Sequence, residues 1–345
     1  MFLLPAAVTA GPHAVAAPPT PPALPASDQA RVPLSGAAAE AGSPLRPVDA
    51  RALAQVRGRL GRAGRLPWLH EEAARRMAER LAFIRRTPAT VLEWGPRLGG
   101  GSQALDAAYP HAQRLRVEWE EVLAGEGLRR EPRGIWRRWF APSRVAEPAP
   151  ALHPWQLPAQ GVQLLWASMV LHGVADPPAL LRAWQRALAV DGFLMCCTLG
   201  PGTLPELRAI YREAGWGAPG AALVDMHDLG DMMVAAGLAD PVMDQELLTL
   251  TFADARSALE ELRGLGGNVD PGRHPGLRTP RWRARLLEAL AASARGRADG
   301  RVALSFELVY GHAFQAEPAL KVSERTAFSP EALQRMARGG RRRPP

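Results

Sequence analysis

The chain has 345 residues, 47% of them hydrophobic and 22% charged, enough for one large core with extensions and too apolar for a wholly disordered polymer. Its formal charge is +8, carried almost entirely by arginine, since Lys321 is the one lysine among 42 basic residues. The arginines are dispersed and do not alternate with aromatic residues as on a base-stacking surface, so no nucleic-acid partner is expected. No run approaches the roughly 20 apolar residues of a membrane span, and Met1 to Ala10 lacks the basic start and long apolar run of a secretory signal. The expectation is a cytoplasmic protein with no membrane partner.

In chain order, residues 1–47 are crowded with Ala and Pro, as in Ala16 to Pro25 (AAPPTPPALP), and predict a disordered tail. Apolar residues at helical spacing predict helices over 48–60 and 69–86, the second opened by Pro67. Ala89 to Trp94 (ATVLEW) reads as a strand, Gly95 to Gly101 as a glycine-rich loop, and Gln103 to Ala108 as a helix. Strands follow over 114–118 and 162–169, with a further one expected near Trp136 to Phe140 in a stretch rich in Arg, Pro and Trp. An amphipathic helix over 176–189, a turn at Asp191-Gly192 and an apolar strand over 193–198 complete an alternation that predicts an α/β fold with a mostly parallel sheet covered on both faces.

Beyond Gly200 the pattern predicts helices over 204–214, 227–236, 253–265 and 281–294 and strands over 247–251 and 302–311, with residues 317–345 as a tail. Cys196 and Cys197 are adjacent in an apolar run, where a mutual disulfide would be strained and metal-ligand spacing is absent, so they read as small buried residues.

A strand, glycine loop and helix in succession let backbone approach a ligand, because glycine carries no side chain to block it. Glu118, at the end of the second strand, stands where a carboxylate gripping ribose hydroxyls is expected. An ordinary tight turn and a solvated acidic cluster with Glu120 and Glu121 are the alternatives at these two places. Gly200-Pro201-Gly202 fits a turn, Asp225 and Asp228 fit helix caps, and His172, His227 and His312 fit satisfied structural positions with no metal spacing.

Five motifs together carry a narrower signal: Val91 to Leu105 (VLEWGPRLGGGSQAL), Val162 to His172 (VQLLWASMVLH), Leu188 to Leu207 (LAVDGFLMCCTLGPGTLPEL), Asp225 to Asp231 (DMHDLGD) and Tyr310 to Ala313 (YGHA). Over roughly residues 48–315 the chain resembles the malonyl-carrier-protein O-methyltransferases of biotin synthesis. The resemblance implies a seven-stranded, Rossmann-like class I methyltransferase sheet with an inserted helical cap. It implies residues 89–200 as the core that binds S-adenosylmethionine (SAM), 201–300 as the cap and substrate region, and 301–316 as a C-terminal strand. The implied reaction moves a methyl group from SAM to the free carboxylate of malonyl on an acyl carrier protein, with no metal and no catalytic base.

By position, the resemblance assigns Glu93, Gly95, Gly99, Glu118, Ser168 and Met169 to the cofactor and His172, Thr198, Gly200, Gly202 and Thr203 to the substrate. The basic charge would suit an acidic carrier. Three residues depart from the family pattern: Arg97 in place of the loop's middle glycine, His153 in place of an acid near adenine, and Gln163 in place of an acid at the start of its strand. A cation within about 4 Å of a sulfonium costs roughly 1 to 4 kcal/mol, so Arg97→Gly is expected to raise SAM affinity; an outward-pointing side chain, or one paired with Glu93 or Glu118, is the alternative. A non-catalytic methyltransferase-fold binding protein is the alternative reading.

Overall fold

In the computed structural model, residues 47–119, 122, 157–295 and 297–316 are described. Helix α1 (Ala50–Ala63) opens on Asp49, whose carboxylate accepts the Ala52 N–H, and closes on Gly64 in the left-handed region at φ 69°. Helix α2 (Trp68–Glu79) follows Pro67 and buries Leu69, His70, Ala73, Ala74 and Met77 along one stripe. The helix expected to reach Arg86 instead tightens into a 3-10 turn over Arg80–Phe83, short of Pro88, whose ring disfavours helical backbone in the residue before it.

The sheet comprises β1 (Thr90–Trp94), β2 (Gln113–Val117), β3 (Val162–Ser168), β4 (Leu188–Leu199), β5 (Leu238–Phe252) and β6 (Val302–Gln315), in the order β2-β1-β3-β4-β6-β5. The first four are parallel, and β6 runs antiparallel to both of its neighbours. The sheet therefore has six strands among the described residues instead of the expected seven, and Trp136 to Phe140, where a further strand was expected, lies outside them. Between β1 and β2 come the single turn α3 (Pro96–Gly99) and α4 (Ser102–Ala108); α5 (Pro177–Ala187) joins β3 to β4. Helices α6 (Pro205–Glu213) and α7 (Met226–Ala235) precede β5, and α8 (Ala255–Leu265) and α9 (Pro280–Ala294) precede β6.

Central strands are apolar on both sides because both faces are covered, and β3 is buried at every position but Gln163. Leu164, Trp166 and Cys197 pack with α2, α4, α8 and α9, while Leu165, Ala167 and Cys196 pack with α5 and α7. Adjacent strand residues point to opposite faces, so Cys196 and Cys197 are separate, fully buried thiols; burial pushes that of Cys196 up to about 12. The turn expected at Asp191-Gly192 is absorbed into β4 as a register shift, with Asp191 at φ 64° and Gly192 leaving room for the Ala189 and Val162 carbonyls. Among the described residues no helix is long and apolar enough to cross a membrane.

Candidate active site

The C-terminal ends of β1, β2 and β3 converge on the glycine loop. Gly95, at φ 61°, donates its N–H to Val117 O at 2.7 Å, so the chain turns sharply as it leaves β1. Gly99 lies so close to β3 that a Cβ there would stand 2.1 Å from Ser168 O. Trp166 Nε1 donates to Gly100 O at 3.1 Å and fixes the next turn of the loop. Glu118 is 1% exposed and accepts the backbone N–H of Arg97 at 2.8 Å. The Arg97 side chain is exposed and does not line the cleft beneath the loop.

Glu93 is also 1% exposed, and its carboxylate accepts from Ser102 Oγ, pairs with Arg114 at 2.7 Å and reaches Arg116 at 3.3 Å. It clasps β1 to α4 and β2 and does not line the cleft. Met169 leaves β3 in the left-handed region at φ 53°, a conformation costly for a residue with a Cβ, and its N–H donates to Cys197 O at 2.8 Å. Ser168 is buried beside Gly99.

Two cavities meet here. The first, about 100 Å³, is floored by Gly95, Gly99, Trp119, Met169 and Val170 and roofed by Leu53, Val56, Arg57 and Leu60 of α1. Arg57 fastens that roof, donating to Gly173 O at 2.7 Å with its guanidinium 3.6 Å over the Trp119 ring. The second, about 340 Å³, has apolar walls that include Leu204, Leu207, Leu262, Leu286 and Phe306, with Thr203, Arg208 and Arg263 also lining it. His70, His172, Leu265, Gly266, Gly267 and Val269 line both.

The sequence reading missed His70. It falls on the buried stripe of α2, where a histidine reads as core, and the 3-10 turn and β1 separate it from the glycine loop in sequence, so nothing along the chain links the two. Its Nδ1 hydrogen-bonds Leu98 O, and burial holds its pKa below the ordinary value. The His172 ring lies edge-on to it, centroids 6.1 Å apart.

The remaining predicted residues divide. Thr203 lines the larger cavity, and its hydroxyl accepts the Glu307 N–H at 3.2 Å. Gly200 and Gly202 line neither cavity; Cβ atoms there would stand 2.6 Å from the Glu307 carboxyl carbon and 2.8 Å from its Oε2, so both let β6 approach the loop. Thr198 is buried in a small apolar space with Leu171, His172 and Leu229. Gln163, expected near the cofactor, sits at the opposite end of the sheet because it begins a parallel strand whose other end carries the site, and it accepts the Ala89 N–H there. Asp225 caps α7 and pairs with exposed His227 at 2.8 Å, and His312 lies on β6 away from both cavities. His153 lies outside the described residues.

A parallel sheet finished by an antiparallel β6, with a glycine loop closing over the strand ends, is the fold of class I methyltransferases. No family model matches the chain. The malonyl-[acyl-carrier protein] O-methyltransferase of Laribacter hongkongensis is 37% identical over 262 residues, 74% of this chain and 86% of the relative. Those of Gallionella capsiferriformans and Halorhodospira halophila are 35% and 37% identical, covering 72% and 71% of this chain and 85% and 81% of theirs. The chain belongs to the malonyl-[acyl-carrier protein] O-methyltransferase family. Among solved structures, Haemonchus contortus phosphoethanolamine N-methyltransferase 2 in complex with S-adenosyl-L-methionine aligns with a TM-score of 0.40 at 12% identity, over 70% of this chain and 53% of that one.

Proposed function

We propose that this chain is a cytoplasmic, SAM-dependent O-methyltransferase that esterifies the free carboxylate of a malonyl group carried by an acyl carrier protein, as in biotin synthesis. One observation carries the reading: a glycine-floored cleft at the strand ends opens into an apolar cavity through a passage lined by two histidines.

The residues present fit SAM. Gly95 and Gly99 clear the approach to the backbone and Trp119 and Met169 supply apolar surface, while Glu118 is buried at the end of β2 behind the loop, on the Arg97 N–H and outside the cleft's lining. The cleft, about 100 Å³, is smaller than the roughly 300 Å³ of a typical ligand pocket and is roofed by α1. When bound, SAM supplies an electrophilic methyl group on a sulfonium.

The chain's own contribution is placement. A carboxylate is already a competent nucleophile, so the enzyme needs no base and gains most of its rate by orienting the two reactants and excluding water. The apolar walls of the larger cavity hold the acyl arm, with Thr203 and His172 as its polar contacts. Arg208 and Arg263 line the same cavity, and Arg278 stacks on lining Trp282 at 4.9 Å, which gives an acidic carrier cationic ground to meet. The names of the relatives support catalysis over a purely binding role.

Calorimetric titration with SAM, followed by mass spectrometry of malonyl-carrier protein incubated with enzyme and SAM, tests the reading. Binding and a gain of one methyl group are expected; absence of heat at high micromolar SAM, or an unmodified carrier, overturns it.

A further inference from the structure

The methyl group has to cross from the glycine-floored cleft to the apolar cavity where the two join. Of the residues lining both, four are Leu, Gly or Val, so the imidazoles of His70 and His172 are the polar side chains at the passage. Among the described residues no carboxylate lines either cavity; the charged side chains that do are Arg57, Arg208 and Arg263. Arg57 is held on Gly173 O and Trp119, Arg208 on Thr203 O, and Arg263 is exposed. On α2 itself, Glu71 and Glu72 lie outside both cavities. The passage therefore repels no anion and has few groups able to fix one.

His70 is built for that task. It is 4% exposed, and its Nδ1 bonds a carbonyl oxygen, Leu98 O, which only accepts, so Nδ1 carries a hydrogen. Nε2, the ring's other polar atom, makes no hydrogen bond to a described residue. We infer that His70 is a carboxylate-binding residue, its Nε2 receiving the free carboxylate of the acyl substrate beside the methyl donor. This rests on the methyltransferase reading above.

With Nδ1–H committed to Leu98, Nε2 donates only from the imidazolium, so a proton from water joins the ring as the carboxylate arrives; an anion within hydrogen-bond distance favours the charged ring. One carboxylate oxygen forms the new O–C bond while the methyl's bond to sulfur breaks, the electron pair staying on sulfur. The ester is neutral, so the ring returns its proton to water and loses its hold on the product.

Two substitutions separate the ring's two attachments. His70→Asn keeps an N–H near the position of Nδ1 and loses Nε2; His70→Gln keeps an N–H near Nε2 and loses the link to Leu98. For H70N we expect SAM affinity by calorimetry within about threefold of wild type and KM for malonyl-carrier protein raised at least about tenfold. For H70Q we expect weaker SAM binding and a smaller rise in KM. If H70N leaves KM and kcat within about twofold of wild type, or if both variants change SAM binding alone, the assignment fails while the methyltransferase reading stands. A wild-type enzyme that transfers no methyl group to malonyl-carrier protein overturns both. Should H70N not fold, ring signals of ¹³C-histidine-labelled wild type, with S-adenosylhomocysteine present, are expected to shift on adding malonyl-carrier protein. An unmoved His70 signal sinks the assignment.

Discussion

At the scale of single residues, the loop divides into positions that admit only glycine and one that tolerates a long side chain. Gly99 has a carbonyl oxygen where its Cβ would be, so Gly99→Ala forces the loop off β3. We expect a loss of about 1 to 3 kcal/mol in urea unfolding, together with loss of SAM binding by calorimetry. Arg97 is exposed, does not line the cleft and contributes its backbone N–H to Glu118, which glycine also supplies. Arg97→Gly is therefore expected to change SAM affinity less than about threefold, against the gain the sequence suggested; a rise of tenfold or more by calorimetry shows the side chain does reach the cofactor. Gly95 and Gly99 were legible because a sharp exit from a strand and a close backbone approach both require glycine. His70 was not, because one buried stripe position on a helix says nothing of what lies across from it.

Among the elements, α1 is the one whose position bears directly on use of the site. It roofs the smaller cavity, and it is tied down by Arg57 on Gly173 and Trp119, by Arg59 on Gly266 O and by Asp49 on Arg273 at 2.7 Å. Each such hold is worth about 0.5 to 2 kcal/mol. Arg57→Ala removes two of them, so SAM association followed by tryptophan fluorescence in stopped flow is expected to quicken about three- to tenfold; an unchanged rate shows that opening of α1 does not limit access. The sequence showed α1, α2 and the buried strands clearly, since their apolar residues recur at one period. It showed only Leu247 to Thr251 of β5. The first half of that strand, LADPVMDQE, mixes proline and acids with apolar residues because one face is open and its register shifts between Ala239 and Val242, so no alternation survives to be read.

For the molecule as a whole, a charge of +8 predicts that encounter with an acidic carrier depends on ionic strength. KM for malonyl-carrier protein is expected to rise several-fold as salt shortens the Debye length below about 10 Å, while SAM affinity by calorimetry barely moves. A KM indifferent to salt removes charge from the recognition. The order of the sheet has a second consequence. Strand β6, late in the chain, lies between β4 and β5 and also brings Glu307 to the Gly200-to-Thr203 loop. During synthesis on the ribosome, β4 and β5 thus stand with open edges until residues 302–315 have emerged, and the larger cavity, which Phe306 helps to line, takes shape only then. Completion of the catalytic centre coincides with the end of the nascent chain's exposure to aggregation, so a ribosome stalled before Val302 releases an unsealed sheet and no enzyme.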